Sequence, residues 1–167
     1  DVDAARRVVA DDDDGKAVIL SDGPITRTLE RNPFGENLEN KGLKFHEIWE
    51  TDRNPVPLDR RTLAPTDGEI PGKVAKGGTK ARIIDYPKRD RVTILNSAPL
   101  LNYMIVLEGQ AYHRQGPGKE TLISKGDIVV NRGSAVSIWN RFEETCRIAD
   151  VAVDGEYVGD LKSHEPW

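Results

Sequence analysis

A few histidines, an arginine in an apolar strand pattern and several strand carboxylates are the groups in this 167-residue chain that could move a proton or hold an oxyanion. His46 and His113 both fall in short segments of alternating apolar character. An imidazole titrates near ~6.5, so either could take and return a proton near neutral pH. Such a group suits elimination of water, isomerisation through an enol, or cyclisation of a polyketone-like substrate. None of these needs a metal or another cofactor. Each histidine could equally be hydrogen-bonded in a core or exposed on a strand edge. His164 lies in a polar C-terminal stretch and is expected to be exposed.

Arg82 shares one face of Lys80-Ala81-Arg82-Ile83-Ile84-Asp85-Tyr86 with Ile84 and Tyr86. A guanidinium fork on such a face would hold a carboxylate or an enolate oxygen. The alternative is an ion pair with Asp85, Glu47 or Glu50. Glu47 could be a buried base with a raised pKa, although strand carboxylates are more often exposed. Trp49 and Trp139 could stack an aromatic or conjugated ligand, or simply pack in the core. Cys146 stands alone, which excludes an intrachain disulfide and a Cys-rich zinc site. It reads as a buried strand thiol rather than a nucleophile. Asp11-Asp12-Asp13-Asp14-Gly15 lacks the ligand spacing of a calcium loop and reads as a solvated turn. No phosphate-binding glycine loop, dinucleotide fingerprint or nucleophile elbow is present. Gly116-Pro117-Gly118-Lys119 is a turn, because no helical pattern follows it.

The elements that must position these groups are short strands. Arg7–Ala10 and Lys16–Leu20 flank the Asp run as a hairpin. Ser21 to Asn40 is polar and broken by Gly23, Pro24, Pro33 and Gly35. Leu43 to Thr51 reads as a strand with His46 and Ile48 on one face and Phe45, Glu47 and Trp49 on the other. Asp52 to Gly78 has four prolines and four glycines and little periodicity. Such a stretch is a long surface loop, a lid or a disordered excursion. From Lys80 onward, strands are expected over 80–86, 92–95, 103–107, 111–114, 120–123, 127–130, 134–139 and 146–153. Turn signals recur about every 8–12 residues, the pattern of an all-β sandwich or barrel. No long helical period, internal repeat or heptad occurs.

Composition bounds the rest. The length suits one domain with extended arms. At 31% charged and 37% hydrophobic residues, the chain is polar but can form a core. A net charge of -4 gives no general attraction to nucleic acid or an anionic membrane. No apolar run approaches the ~20 residues that span a bilayer, and no secretory h-region opens the sequence. Cytoplasmic residence is the expectation.

Two stretches resemble the small single-domain cupins, the double-stranded β-helix or jelly-roll family. Asn96 to Gly109 is similar to the first cupin motif, with Tyr103 to Gly109 as its closing strand and glycine turn. Gly126-Asp127-Ile128-Val129-Val130, Gly133 and Asn140 are similar to the glycine-bracketed second motif. The resemblance is good over residues 80–153 and looser over the N-terminal third. It implies an all-β jelly-roll barrel at 43–153, with a long loop at 52–78. An arm and hairpin at 1–42 and a tail at 154–167 flank it.

Metal-bearing cupins place two His and a Glu in the first motif and a His in the second. By that resemblance, the Glu slot is Asn102 and the second-motif His slot is Val136. The paired His slots are Asn96 and Ala98, or Leu95 and Ser97. A neutral amide is a weak donor for first-row divalent metals, and Ala and Val offer none. The resemblance therefore implies the fold without its usual metal.

The resemblance also implies that His113, on the face of Ala111, projects into the barrel. Asn102 would orient a substrate carbonyl there, beside Met104 as an adaptable wall and Val136. The expected activity is that of a metal-independent lyase or isomerase, of dehydratase or cyclase type, acting on a small metabolite of specialised metabolism. His113 or His46 would be the catalytic acid/base, and Arg82, Asn102, Met104, Trp49, Trp139 and Val136 the substrate contacts. One alternative is a non-catalytic small-molecule-binding or structural cupin. The other is a metal cupin with ligands relocated to His46, His113 and a carboxylate such as Glu47. A homodimer through the N-terminal hairpin is expected, because an exposed edge strand seeks a partner.

Overall fold

A computed structural model describes residues 5–26, 28–29, 42–56, 58, 74–89, 93–95, 99–115, 119–134 and 136–158. Twelve strands run through them. These are β1 (Ala5–Asp11), β2 (Ala17–Pro24), β3 (Thr28–Leu29), β4 (Lys44–Thr51), β5 (Thr79–Tyr86) and β6 (Thr93–Leu95). The remainder are β7 (Leu100–Glu108), β8 (Gln110–Arg114), β9 (Glu120–Ser124), β10 (Ile128–Arg132), β11 (Val136–Trp139) and β12 (Cys146–Asp154). Among the described residues there is no helix, and so none long and apolar enough to cross a membrane.

The barrel consists of two antiparallel sheets, ordered β10-β7-β12-β5-β4-β3 and β6-β11-β8-β9. Their inner faces meet in one core. Phe45, Ile84, Met104, Val106 and Ile148 come from the larger sheet, and Ala111, Ile123 and Ile138 from the smaller. The chain repeatedly changes sheets, and β7 to β8 is the tightest such crossing. Gly109 makes it at a φ of 70°, and a Cβ there would lie 2.5 Å from the Thr145 carbonyl oxygen. Only glycine fits this left-handed, close-packed position. Asn140 closes the next corner. Its buried amide donates to the carbonyls of Tyr86 (3.0 Å) and Glu144 (2.8 Å) and accepts from the Phe142 amide (2.9 Å).

The N-terminal hairpin forms as expected, with β1 paired to β2 and a bulge after Val8. In its turn, Asp12 Oδ1 accepts from the amides of Asp14 (3.0 Å) and Lys16 (2.8 Å). The acidic run is thus a side-chain-closed turn. Val9 and Ile19 face each other across the hairpin with more than half their surface in solvent. The arm touches the barrel through Arg6, which donates to the Ile48 carbonyl and lies over the Trp49 ring.

The polar segment after Leu20 differs from expectation. β2 continues to Pro24, and β3 adds a sixth strand by pairing Thr28 with His46 and Leu29 with Phe45. Residues 30–41, and residues 57 and 59–73 of the expected long loop, lie outside the described residues. The loop's far end is anchored where Gly77 donates to Asp154 Oδ2 (2.7 Å) and Asp154 donates to the Gly78 carbonyl (2.9 Å). Residues 155–158 run back along the barrel, and the Tyr157 hydroxyl donates to the Gly133 carbonyl. His164 lies outside the described residues.

Candidate functional site

The inner face of the larger sheet changes character along its strands. Strand register aligns Phe45, Ile84, Ile148 and Val106 in one row. The next row is Glu47, Arg82, Asp150, Met104 and Val129. The row beyond is Glu50, Lys80, Ala152, Asn102 and Asn131. An apolar end therefore gives way, over two residues of strand, to an end lined by charges.

A bulge in β4 creates half of this polar end. Strict alternation would put Trp49 on the face of Phe45 and Glu47. Instead the register shifts between Glu47 and Trp49, so that Glu47 opposes Arg82 but Trp49 opposes Ala81 and Glu50 opposes Lys80. The extra residue turns Trp49 to the outer face and brings Glu50 in beside Glu47. The Lys80 ammonium, 2% exposed, then lies 3.5 Å from Glu47 Oε2 and 3.2 Å from Glu50 Oε2.

Arg82 is buried on this face and pairs with Asp150, from β12. Arg82 Nε and one amino group both reach Asp150 Oδ2 at 2.9 Å, and the guanidinium lies over the Phe45 ring. Asn102 donates to the other oxygen, Asp150 Oδ1, at 3.0 Å. Asp150 had a signal in the sequence, since it alternates with Ile148 and Ala152 and so shares their inward phase. Lys80 had the same signal relative to Arg82 and Ile84.

His113 projects inward from the smaller sheet, on the face of Ala111 and opposite Ile138 and Thr121. It is 4% exposed, and burial pushes its pKa below the ordinary 6.5, so the neutral ring is favoured. The Gln115 amide nitrogen lies 2.7 Å from His113 Nδ1 and donates to Thr121 Oγ1. With the Gln115 amide in this orientation its nitrogen donates to Nδ1, which places the ring proton on Nε2. Nε2 is buried and has no hydrogen-bond partner among the described residues. The same is true of Glu47 Oε1.

His46 is corrected. It neighbours Phe45 on β4, so its ring points to the outer face, where it is 1% exposed. Thr28 Oγ1 lies 2.9 Å from its Nδ1, and Asp85 Oδ2 lies 3.1 Å from its Nε2. Arg147 grips the same Asp85 carboxylate with two bonds, of 2.7 and 2.9 Å. Burial opposes ionisation of Asp85, but Arg147 and His46 outweigh it and hold its pKa below 3.8. This network ties β3, β4, β5 and β12 together outside the barrel interior.

Both tryptophans are corrected as well. Trp49 faces outward beneath Arg6. Trp139 alternates with the buried Ile138 and opposes Tyr112 on the outer face of the smaller sheet. There the Arg141 guanidinium lies over both rings, 3.7 Å from the Trp139 centroid and 4.9 Å from that of Tyr112. Neither indole lines the interior. Met104 and Val136 are buried, at 1% and 3% exposure, and Met104 belongs to the core cluster.

No protein-family profile matches the chain. A cupin-domain-containing oxidoreductase, fogC, of Aspergillus ruber (strain CBS 135680) is 29% identical over 133 residues, covering 78% of this chain and 61% of the relative. Phomopsin biosynthesis cluster protein D of Diaporthe leptostromiformis is 23% identical over 130 residues, 71% of this chain and 68% of the relative. The chain thus spans about three fifths of the length of the first relative. Among solved structures, the cupin domain of Schizosaccharomyces pombe Cnp3 superposes with a TM-score of 0.51. It does so over 90% of this chain and 87% of that one, at 12% identity. The chain has the cupin fold, the double-stranded β-helix.

The residues of this cupin-fold chain do not fit the metal of metal-bearing cupins at its usual place. Asn102 stands in the Glu slot and its amide is engaged by Asp150, while Val136 stands in a His slot and is hydrocarbon. Asn96, Ser97 and Ala98 lie outside the described residues. The relocated set is also overturned. Adjacent strand residues point to opposite faces, so His46 and Glu47 cannot join His113 around one ion. Among the described residues no three His, Cys, Asp or Glu side chains converge.

Proposed function

We propose that this cupin is a metal-independent enzyme that converts a small organic metabolite, polyketide-like or aromatic, by acid/base chemistry. Dehydration, isomerisation and cyclisation are the reactions such a site can perform. The observation that carries the reading is the buried, unpartnered Nε2 of His113 on the inward face of the barrel. A neutral imidazole in that position can exchange a proton with a ligand or hold its developing oxyanion. Arg82, through Asp150 and Asn102, stiffens the floor of the polar end, and Met104 and Val136 supply its apolar wall.

Specialised metabolism as the setting draws support from the relatives, two of which are named for a phomopsin biosynthesis cluster. The Aspergillus relative is named an oxidoreductase. The present reading differs from that name in leaving the substrate's oxidation state unchanged. We further infer a cytoplasmic homodimer joined through the β1–β2 arm. The arm's apolar residues Val9 and Ile19 stand in solvent, and a two-stranded hairpin is marginal by itself.

The test is to incubate the purified protein with extract of a producing strain that lacks its gene and follow new products by mass. A product isobaric with its precursor, or lighter by one water, is expected from wild type and is lost in His113→Asn. A product differing by a pair of hydrogens would overturn the reading. The second reading, a non-catalytic binding or structural barrel, is favoured by the burial of Met104 and Val136 where a substrate would lie. It predicts a compound retained unchanged.

A further inference from the structure

Resting on that acid/base reading, we propose that Glu47 is the proton acceptor and His113 the hydrogen-bond donor of one enolisation site. Its substrate class is a neutral carbonyl compound bearing an acidic hydrogen on the adjacent carbon. Two buried atoms lead there. Glu47 is 3% exposed. Its Oε2 faces Lys80, while its Oε1 is buried without a partner among the described residues. His113 Nε2 is in the same condition on the facing sheet. A buried polar atom left unsatisfied costs ~1–3 kcal/mol, and more if charged. Ordered water or a ligand completes such atoms.

The two atoms are complementary. A carboxylate oxygen such as Glu47 Oε1 only accepts. His113 Nε2, in the tautomer set by Gln115, only donates. A ligand that satisfies both must bring an acidic hydrogen and an acceptor oxygen. The charge inventory favours an uncharged one. Among the described residues of these rows, Glu47, Glu50 and Asp150 outnumber Lys80 and Arg82 by one formal negative charge, and Arg82 binds Asp150. Lys80 stands between two carboxylates. Its ammonium faces Glu47 Oε2 and not Oε1.

In the step itself, Glu47 Oε1 removes the proton from the carbon beside the carbonyl. The C–H electron pair becomes the carbon–carbon double bond, and the carbonyl π pair moves onto oxygen. That oxygen accepts the hydrogen bond from His113 Nε2. Return of the proton to a different carbon isomerises the substrate. Expulsion of a β-hydroxyl, protonated by Glu47 as it leaves, gives water and an unsaturated carbonyl. No electron acceptor is needed.

The test uses 2-tetralone, a neutral aromatic ketone, with the purified full chain in deuterium oxide, following loss of the α-proton signals by NMR. Wild type is expected to exchange them at least about tenfold faster than buffer, a modest share of what a positioned base supplies. Glu47→Gln should fall to the buffer rate while still binding 2-tetralone by ligand-observed NMR. His113→Gln should remove most of the acceleration over buffer. Exchange by Glu47→Gln at the wild-type rate overturns the assignment. If His113→Gln alone loses exchange, Glu47 is not the base, yet the acid/base reading of the barrel survives. No acceleration by wild type overturns the assignment, whatever the extract experiment returns. Should Glu47→Gln fail to fold, Glu47→Asp retains the charge and withdraws the oxygen by one methylene. A rate at least about tenfold lower then supports the assignment, and an unchanged rate sinks it.

Discussion

Asn102 donates to Asp150 across the β7–β12 pair, from the very position where metal-bearing cupins carry a glutamate. Asp150 also holds Arg82 on the other side, so its two oxygens knit three adjacent strands. Restoring the family's residue would therefore not restore a metal. Asn102→Glu sets a second carboxylate against Asp150 and is expected to cost about 2 kcal/mol, since an uncompensated charge is left partly buried. Urea denaturation measures the loss. Isothermal titration with manganese or iron(II) is expected to show no stoichiometric binding.

The Arg82–Asp150 pair is buried on both sides, at 5% and 2% exposure. Removing one partner strands the other's charge, so Asp150→Leu should destabilise by about 3–5 kcal/mol. Combining Arg82→Met with Asp150→Leu should recover more than half of that. A double-mutant cycle under equilibrium denaturation reads the difference directly.

Stability should rise with pH through two separate windows. Asp85 titrates below 3.8 when folded, so the unfolded chain binds its proton first as pH falls. Its contribution is fully present above 3.8 and is lost as pH drops through the lower native value. His113, also depressed by burial, has the same sign. Its contribution is present above 6.5 and is lost as pH falls through its native value. His113→Gln should flatten the stability profile just below 6.5, and Asp85→Asn should flatten it below 3.8. Melting temperatures taken across this range in constant ionic strength check both.

Cys146 is fully buried opposite Tyr86, and its thiol pKa is pushed up to about 12 by burial and by the Asp85 charge. The native protein should resist a thiol-disulfide reagent at pH 8, and the urea-unfolded chain should react at once. Rapid labelling of the folded form would contradict the burial.

Gly109 tolerates no side chain. Alanine there carries a left-handed penalty of ~1–2 kcal/mol together with a contact against the Thr145 carbonyl. Gly109→Ala should lower the denaturation free energy by at least that amount without changing ligand binding at the polar end.

Much of the barrel was legible from alternation and turns, because strands half-buried against one core write their phase into the sequence. β4, β5, β7 and β12 appear within a few residues of their expected bounds. β3 was not legible. Two residues in a polar stretch carry no period, and Thr28 is held by a hydroxyl–imidazole contact with His46 rather than by apolar burial. The inward faces of His113 and Asn102 came from the cupin resemblance laid over their strands' phase. The face of Trp49 did not, because a bulge is invisible to strict alternation. Trp139 was expected against a ligand or in the core, whereas here it stacks beneath Arg141 on the outside.

The β4 bulge turns a matter of residue identity into one of counting. Glu47 and Glu50 are three apart, a helical interval, yet one surplus residue makes them neighbours over Lys80. Losing the codon for Ile48 in frame would leave each glutamate with its opposite number, whereas reversing the charge of Lys80 would leave three acids facing one another. In this strand, subtracting a whole amino acid is the gentler lesion.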